Sequence, residues 1–230
     1  FGAVSRKNCK YDVFFGTDYH SHLGTKRGGM AFWDAEKGFQ RQIHNIENTP
    51  FRTKFEGDLN KLSGTVGIGC ISDTDPQPLL VRSHLGMFAI ATVGIINNSE
   101  ELVAETFSAP GHYFMAMSNG KVNNNELIAA LINRCGDLIE GIRFAQSKIK
   151  GSCTIVLLFP DYIIAARDEM GRLPIVLGKS EDGHCISMES FACQKLGYTP
   201  CYNLGPNEIV KVTVDSIEQL AAPGEKMKIC

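Results

Sequence analysis

Residues 151–178 read GSCTIVLLFPDYIIAARDEMGRLPIVLG, and the fold turns on this stretch. Ser152 to Phe159 and Tyr162 to Arg167 are apolar, rich in β-branched residues, and separated by Pro160-Asp161. Two such runs around a turn dipeptide predict a β-hairpin. Cys153 lies inside the first run and reads as a small buried hydrophobe. Pro174 to Gly178 and His184 to Met188 flank Glu181-Asp182-Gly183 as a second hairpin. Glu208 to Val214 with Ile217 to Leu220 predict a third. The Arg167-Asp168 pair inside this stretch reads as a surface ion pair of little energetic weight.

Upstream, three segments read as helices. Ser99 caps Glu100 to Phe107. Asn123 with Glu126 resembles a capping box ahead of Leu127, Ile128, Leu131 and Ile132. Asp137 with Glu140 opens a helix carrying Leu138, Ile139, Ile142 and Ala145. Further back, residues 65–71 and 87–93 are strands, the second apolar throughout and so buried on both faces. Gly67 and Gly69 imply close approach by another group. Residues 28–33 predict a strand with a hairpin loop at 34–38, and Asp12 to Leu23 a helix ended by a left-handed Gly24. Strands, then helices, then strands do not make the β-α-β alternation of a parallel sheet. They make an α+β fold of packed sheets with helices outside.

Composition excludes several classes. The 230 residues carry 23 Lys+Arg against 25 Asp+Glu, a formal net charge of -2, so no field draws in nucleic acid or an anionic membrane. No apolar run approaches the roughly 18 residues of a membrane span, and the first residues are not a signal peptide. The eight cysteines, at 9, 70, 135, 153, 185, 193, 201 and 230, form no C-x-x-C pair, and the even spacing of Cys185, Cys193 and Cys201 matches no common metal set. Reduced thiols in a cytoplasmic protein are expected. No phosphate-binding loop, H-E-x-x-H or nucleophile elbow occurs, and His20 and His22, two apart, point away from each other on a helix.

The stretch opened above, with Ala165-Ala166-Arg167-Asp168 and Gly171 between its strands, resembles the glutaminase domain of amidophosphoribosyltransferase, in which an Ala-Ala-Arg-Asp-Pro-x-Gly-x-Arg-Pro-Leu pattern occurs. Ser187-Met188-Glu189-Ser190 resembles that family's Ser-Glu-Ser turn, and Gly205-Pro206-Asn207-Glu208-Ile209-Val210 its Pro-Gly-Glu-Ile-Val strand. The resemblance spans nearly the whole chain. It implies a class II glutamine amidotransferase domain over 1–230, a four-layer α-β-β-α sandwich of the N-terminal-nucleophile hydrolase type. It also implies that a phosphoribosyltransferase domain of purine synthesis follows beyond the chain, with that domain or a second copy of the chain as partner.

The same resemblance locates the family's catalytic positions, and each is altered. The nucleophilic cysteine is replaced by Phe1 or lies three residues upstream of it, the second register keeping both Phe1 and Gly2 in the family's Phe-Gly. A benzyl group cannot attack an amide. In the family's Gly-Ile-Gly-His-x-Arg-Tyr-Ser loop, Ser72 stands where arginine clamps the glutamine carboxylate, and Asp73 beside it repels a carboxylate. In the oxyanion-hole loop His-Asn-Gly-Asn, Gly94 keeps its backbone N–H but Val93 replaces the asparagine donor. Asn124 replaces the aspartate that binds the glutamine ammonium, and His22 to Gly29 departs from His-Arg-Gly-Gln-Glu-Ser-Ala-Gly. Cys70 and Cys9, as stand-in nucleophiles, lack an adjacent amino-group base. The expectation is a glutaminase scaffold that does not hydrolyse glutamine and acts as a structural or regulatory domain. The alternatives are an active amidotransferase with its cysteine upstream of Phe1, or a metabolite-binding domain without turnover. No cofactor is expected in this chain. Iron–sulfur clusters or magnesium would belong to a longer parent protein, with Cys230 a cluster ligand only if its partners lie outside the chain.

Overall fold

The computed structural model describes residues 1–108, 113–118 and 120–225. Cys230 therefore lies outside the described residues. In chain order the elements are β1 (Gly2–Ser5), α1 (Lys10–Asp18), β2 (Arg27–Asp34), β3 (Gly38–Asn45), α2 (Phe51–Phe55), β4 (Val66–Ser72), β5 (Leu79–Ser83), β6 (Gly86–Ile96), α3 (Ser99–Phe107), β7 (Met117–Ser118), β8 (Lys121–Val122), α4 (Asn124–Ile132), α5 (Leu138–Lys148), β9 (Gly151–Leu158), β10 (Ile163–Ala166), β11 (Val176–Lys179), β12 (Gly183–Ser187), α6 (Ser190–Lys195), β13 (Thr199–Asn203), β14 (Ile209–Val212) and β15 (Ile217–Ala221). No helix among the described residues is long and apolar enough to cross a membrane.

Two antiparallel sheets carry the fold. The first runs β13-β11-β12-β1-β4-β2-β3 and the second β15-β14-β10-β9-β6-β5, with β7-β8 a separate ribbon. The three hairpins read from the last third are β9–β10, β11–β12 and β14–β15. The sheets bury their facing sides against each other through Val4, Ala31, Val66 and Ile68 from one and Ala89, Leu158, Ile163 and Val210 from the other. The far side of the second sheet presents Phe88, Ile90, Ile155 and Leu157 to Leu127, Leu131, Ile132 and Ile142 of α4 and α5. The far side of the first packs Met30 and Phe32 against Val13 and Phe14 of α1 and Phe51 and Phe55 of α2. The result is the four-layer α-β-β-α sandwich, because strands apolar on both sides need a cover on each.

Several local expectations change in detail. Asp137 caps α5 as expected, accepting from the Ile139 and Glu140 N–H groups. Asn123 caps α4 through the Asn125 N–H, but Glu126 does not close a capping box; its carboxylate takes the N–H groups of Met115 and Ala116 instead. The cap of α3 is Asn98, not Ser99, and the Asn98 side chain bonds the Lys148 carbonyl and Lys150 N–H instead of its own helix. The predicted first helix ends at Asp18, and Gly24 is extended (φ -175°) after a single 3-10 turn, not left-handed. Gly67 and Gly69 are indeed approached closely: a Cβ would meet the Phe32 ring at 2.5 Å and the Thr17 Oγ1 at 2.0 Å.

The Arg167–Asp168 surface pair is overturned. Both side chains are buried, and they do not bond each other. The Arg167 guanidinium donates to the carbonyls of Leu173, Gly171 and Leu204. Asp168 accepts from the N–H groups of Met170 and Arg172. Together they fix the turn between β10 and β11, each buried charge satisfied by backbone groups.

Candidate active site at the end of the sandwich

At the end where β1 begins, the two sheets separate around a cavity of about 90 Å³. Phe1, Gly69, Cys70 and Ile71 line it from the first sheet, Ala91, Val93 and Val156 from the second, and His20, Ser187 and Met188 from the rim. Among the described lining residues none is Lys, Arg, Asp or Glu. Phe1 exchanges both backbone hydrogen bonds with Gly69, each 2.8 Å. Its ring turns toward α1, where a Cβ on Gly16 would stand 2.4 Å from it. Gly16 is therefore the gap in α1 that admits the ring.

One polar constellation borders this cavity. His20 is buried, with Nδ1 2.6 Å from the Gly16 carbonyl and Nε2 3.2 Å from the Ser187 hydroxyl. A carbonyl only accepts, so Nδ1 carries the proton and Nε2 offers its lone pair. Burial lowers the His20 pKa to about 4, so the ring is neutral at pH 7. The same hydroxyl lies 2.7 Å from the Glu189 carbonyl, so its single proton is shared between that carbonyl and the His20 lone pair at the β12–α6 turn. Residues 20 and 187 are 167 apart in sequence, and no spacing signal joined them. Cys70, on the same wall, has its thiol pushed up to about 12 by burial and stays protonated, a poor nucleophile.

Val93 lines the cavity with Phe1, but its neighbour Gly94 does not. Residues 92–95 form no loop: β6 runs unbroken to Ile96, paired with β9 from Ala89↔Leu158 to Ile96↔Gly151. The Gln77 side chain covers Thr92, accepting its N–H at 2.8 Å and donating to its carbonyl at 3.1 Å. Gly94, two residues on, faces the same open edge. Its φ is +146°, and a Cβ there would lie 2.0 Å from the Ser152 carbonyl oxygen, so backbone packing alone requires glycine.

The remaining predicted positions gather elsewhere. Asp73 and Asn124 line a second, wider cleft of about 720 Å³ with Asp75, Glu100 and Lys121. Asn124 donates its side-chain N–H₂ to Asp75 at 2.9 Å. Asp75 was not singled out from the sequence; burial raises its pKa despite that bond. Asp73 accepts from the backbone N–H groups of Thr25 and Lys26, which lower its pKa and hold it as a carboxylate. Ser72 is buried, its hydroxyl accepting from the Thr74 N–H. Of the positions expected from the resemblance, Val93 thus lines the apolar cavity, Asp73 and Asn124 line the acidic cleft, and Ser72 and Gly94 line neither.

This architecture, with the cavity at the head of β1, is that of a class II glutamine amidotransferase domain of the N-terminal-nucleophile hydrolase type. Within that class the chain resembles the glutamine amidotransferase domain of amidophosphoribosyltransferase. It is 30% identical over 224 residues to the amidophosphoribosyltransferase of Methanocaldococcus jannaschii, covering 92% of this chain and 46% of that protein. The Archaeoglobus fulgidus protein of the same name is 29% identical over 91% of the chain and 46% of its own length. The chain spans about half the length of these curated relatives. It superposes with a TM-score of 0.85 and 23% identity on the glutamine phosphoribosylpyrophosphate amidotransferase of Bacillus subtilis complexed with ADP and GMP, covering 100% of this chain and 50% of that one. A glutamine aminotransferase class-II domain protein from Silicibacter pomeroyi gives a TM-score of 0.61 at 11% identity, with 86% of this chain and 92% of that one covered. At these identities the two superpositions carry the fold. No protein-family model matches the chain.

Proposed function

We propose that this chain is a glutaminase-type domain that does not hydrolyse glutamine and serves as a structural or regulatory partner of a phosphoribosyltransferase domain. The observation that carries the reading is the absence of charged side chains from the described wall of the inter-sheet cavity. Free glutamine enters with an ammonium and a carboxylate, and a site that desolvates both without partners loses several kcal/mol per ion. Val93, Ile71 and Met188 offer neither ion a partner. The reading assigns no cofactor to residues 1–230; iron–sulfur or magnesium chemistry would belong to a longer parent protein. It places the protein in the cytoplasm, docked on a phosphoribosyltransferase domain or on a second copy of the chain.

The test is paired calorimetry and ammonia release with L-glutamine, on this chain and on its full-length gene product, beside the Methanocaldococcus jannaschii relative. No binding heat and no ammonia from either form is the expected result. Stoichiometric glutamate production by the full-length protein would overturn the reading and favour an amidotransferase whose cysteine precedes Phe1.

Metabolite binding without turnover is favoured by one observation, the roomy cleft walled by Asp73, Asp75 and Glu100. That acidic wall suits a cationic or amine-bearing metabolite. A thermal-shift panel of amines and amino acids tests it, and a flat response across the panel counts against it.

A further inference from the structure

Cys185 and Cys193, eight residues apart, lie on different elements, β12 and α6, and their sulfurs are 3.3 Å apart in the fold. Both residues are fully buried. The contact is built around Gly178 on β11. A Cβ there would stand 2.8 Å from the Cys185 Sγ and 3.3 Å from the Cys193 Cβ, so any side chain would push the thiols apart. The Cys185 thiol donates to the Cys193 sulfur. That donation lowers the Cys193 pKa below the ordinary thiol value and raises that of Cys185. Cys193 also reaches the Glu189 carbonyl at 4.0 Å; the buried Cys153 and Cys9 have only such carbonyl contacts and no second sulfur among the described residues, and burial raises their pKa. Thiol reactivity follows thiolate character, so the pair differs in kind from the other buried cysteines.

We infer that Cys185 and Cys193 are a redox pair that closes to an intramolecular disulfide under peroxide. The Cys193 thiolate attacks one peroxide oxygen. An S–O bond forms, the O–O bond breaks, and the departing hydroxide takes up a proton as water. Sulfur is oxidised to sulfenic acid and peroxide is reduced. The Cys185 sulfur then attacks the Cys193 Sγ; the S–S bond forms, the S–O bond breaks, and the second oxygen leaves as water with the Cys185 proton. The net change is two thiols and one peroxide to one disulfide and two waters. Access comes through α6, a six-residue helix whose Ser190 and Phe191 lie at the surface, so its opening costs less than that of the sheets. The bond would pin α6 to β12 and fix the Ser187–Glu189 turn between them, which is the rim of the inter-sheet cavity.

Peptide mapping of the intact chain after hydrogen peroxide, without reductant, reads this directly. Trypsin releases residues 180–195 with both cysteines, and the expected fragment is lighter by two hydrogens. Glu-specific cleavage after Glu189 leaves its halves joined until dithiothreitol is added. Cys201, which is exposed, serves as the internal gauge of oxidant. The link survives Cys201→Ser and is lost in Cys193→Ser. If Cys185 and Cys193 still alkylate as free thiols once Cys201 is fully oxidised, the inference fails. It fails equally if the disulfide recovered joins Cys201 to either of them.

Discussion

The two faces of β6 are packed in opposite ways. Phe88 and Ile90 point to the helices, where Leu127, Leu131, Ile132 and Ile142 close over them. Ala89, Ala91 and Val93 point to the other sheet, and toward the strand's far end that side opens into the small cavity with Phe1 and Val156. The same eleven residues thus build a close-packed core on one side and the wall of a depression on the other. What separates the faces is residue size. Large side chains fill the helix interface, and small ones let the sheets approach until the rim, where nothing bulky enough remains to fill the space.

Breaking the filled face should cost the most. Phe88→Ala removes a fully buried ring packed at a tilt against Phe159 and should lower the free energy of unfolding by about 3–5 kcal/mol in urea titrations. A loss below that of Ala91→Gly would mean that the two faces are not packed as described.

The rim of the open face should respond to pH. His20 is neutral in the fold, with a pKa near 4 against 6.5 when unfolded. Between those values the unfolded chain binds the extra proton. Stability is therefore complete above the unfolded pKa and declines as pH falls from 6.5 toward 4, by on the order of 3 kcal/mol. His20→Asn should flatten that part of the pH profile; an unchanged slope would show that other groups set it.

Gly94→Ala probes the strand end itself. Its positive φ and the overlap with the Ser152 carbonyl should make the variant less stable by roughly 1–3 kcal/mol. A variant as stable as the parent would mean that β6 and β9 part at that point. The smallest effect is expected in the acidic cleft. Asn124→Asp sets a second carboxylate against Asp75, replacing a 2.9 Å hydrogen bond by repulsion. About 1 kcal/mol should be lost at pH 8, and less at pH 5, where one proton can be shared. An increase in stability at pH 8 would point to a cation held between the two carboxylates.

How much of this was legible beforehand follows the range of the interactions. Asp137 and its helix were readable because cap and first turn are adjacent in sequence. The hairpin at Pro160-Asp161 was readable for the same reason. Strand β5 and helix α6 were missed: the first is a short edge strand, and the second is held by packing against β11, β12 and β13 with no side-chain cap of its own. Asp75 was missed because its partner Asn124 is 49 positions away. The Arg167–Asp168 pair was misread because adjacency suggested an ion pair, while tertiary burial aimed each side chain at different backbone groups.

Sequence alone settled the alternation of strands, helices and strands, the apolar character of both faces of β6 and β9, and the resemblance to a glutaminase domain. Those features depend on neighbours in the chain and on side-chain polarity, which residue order states directly. Tertiary structure alone decided that Asp73 and Asn124 share a cleft apart from Val93, that His20 meets Ser187, and that Cys185 meets Cys193 over Gly178. Each joins residues carried by different elements, and only the packing of those elements sets the distance between them.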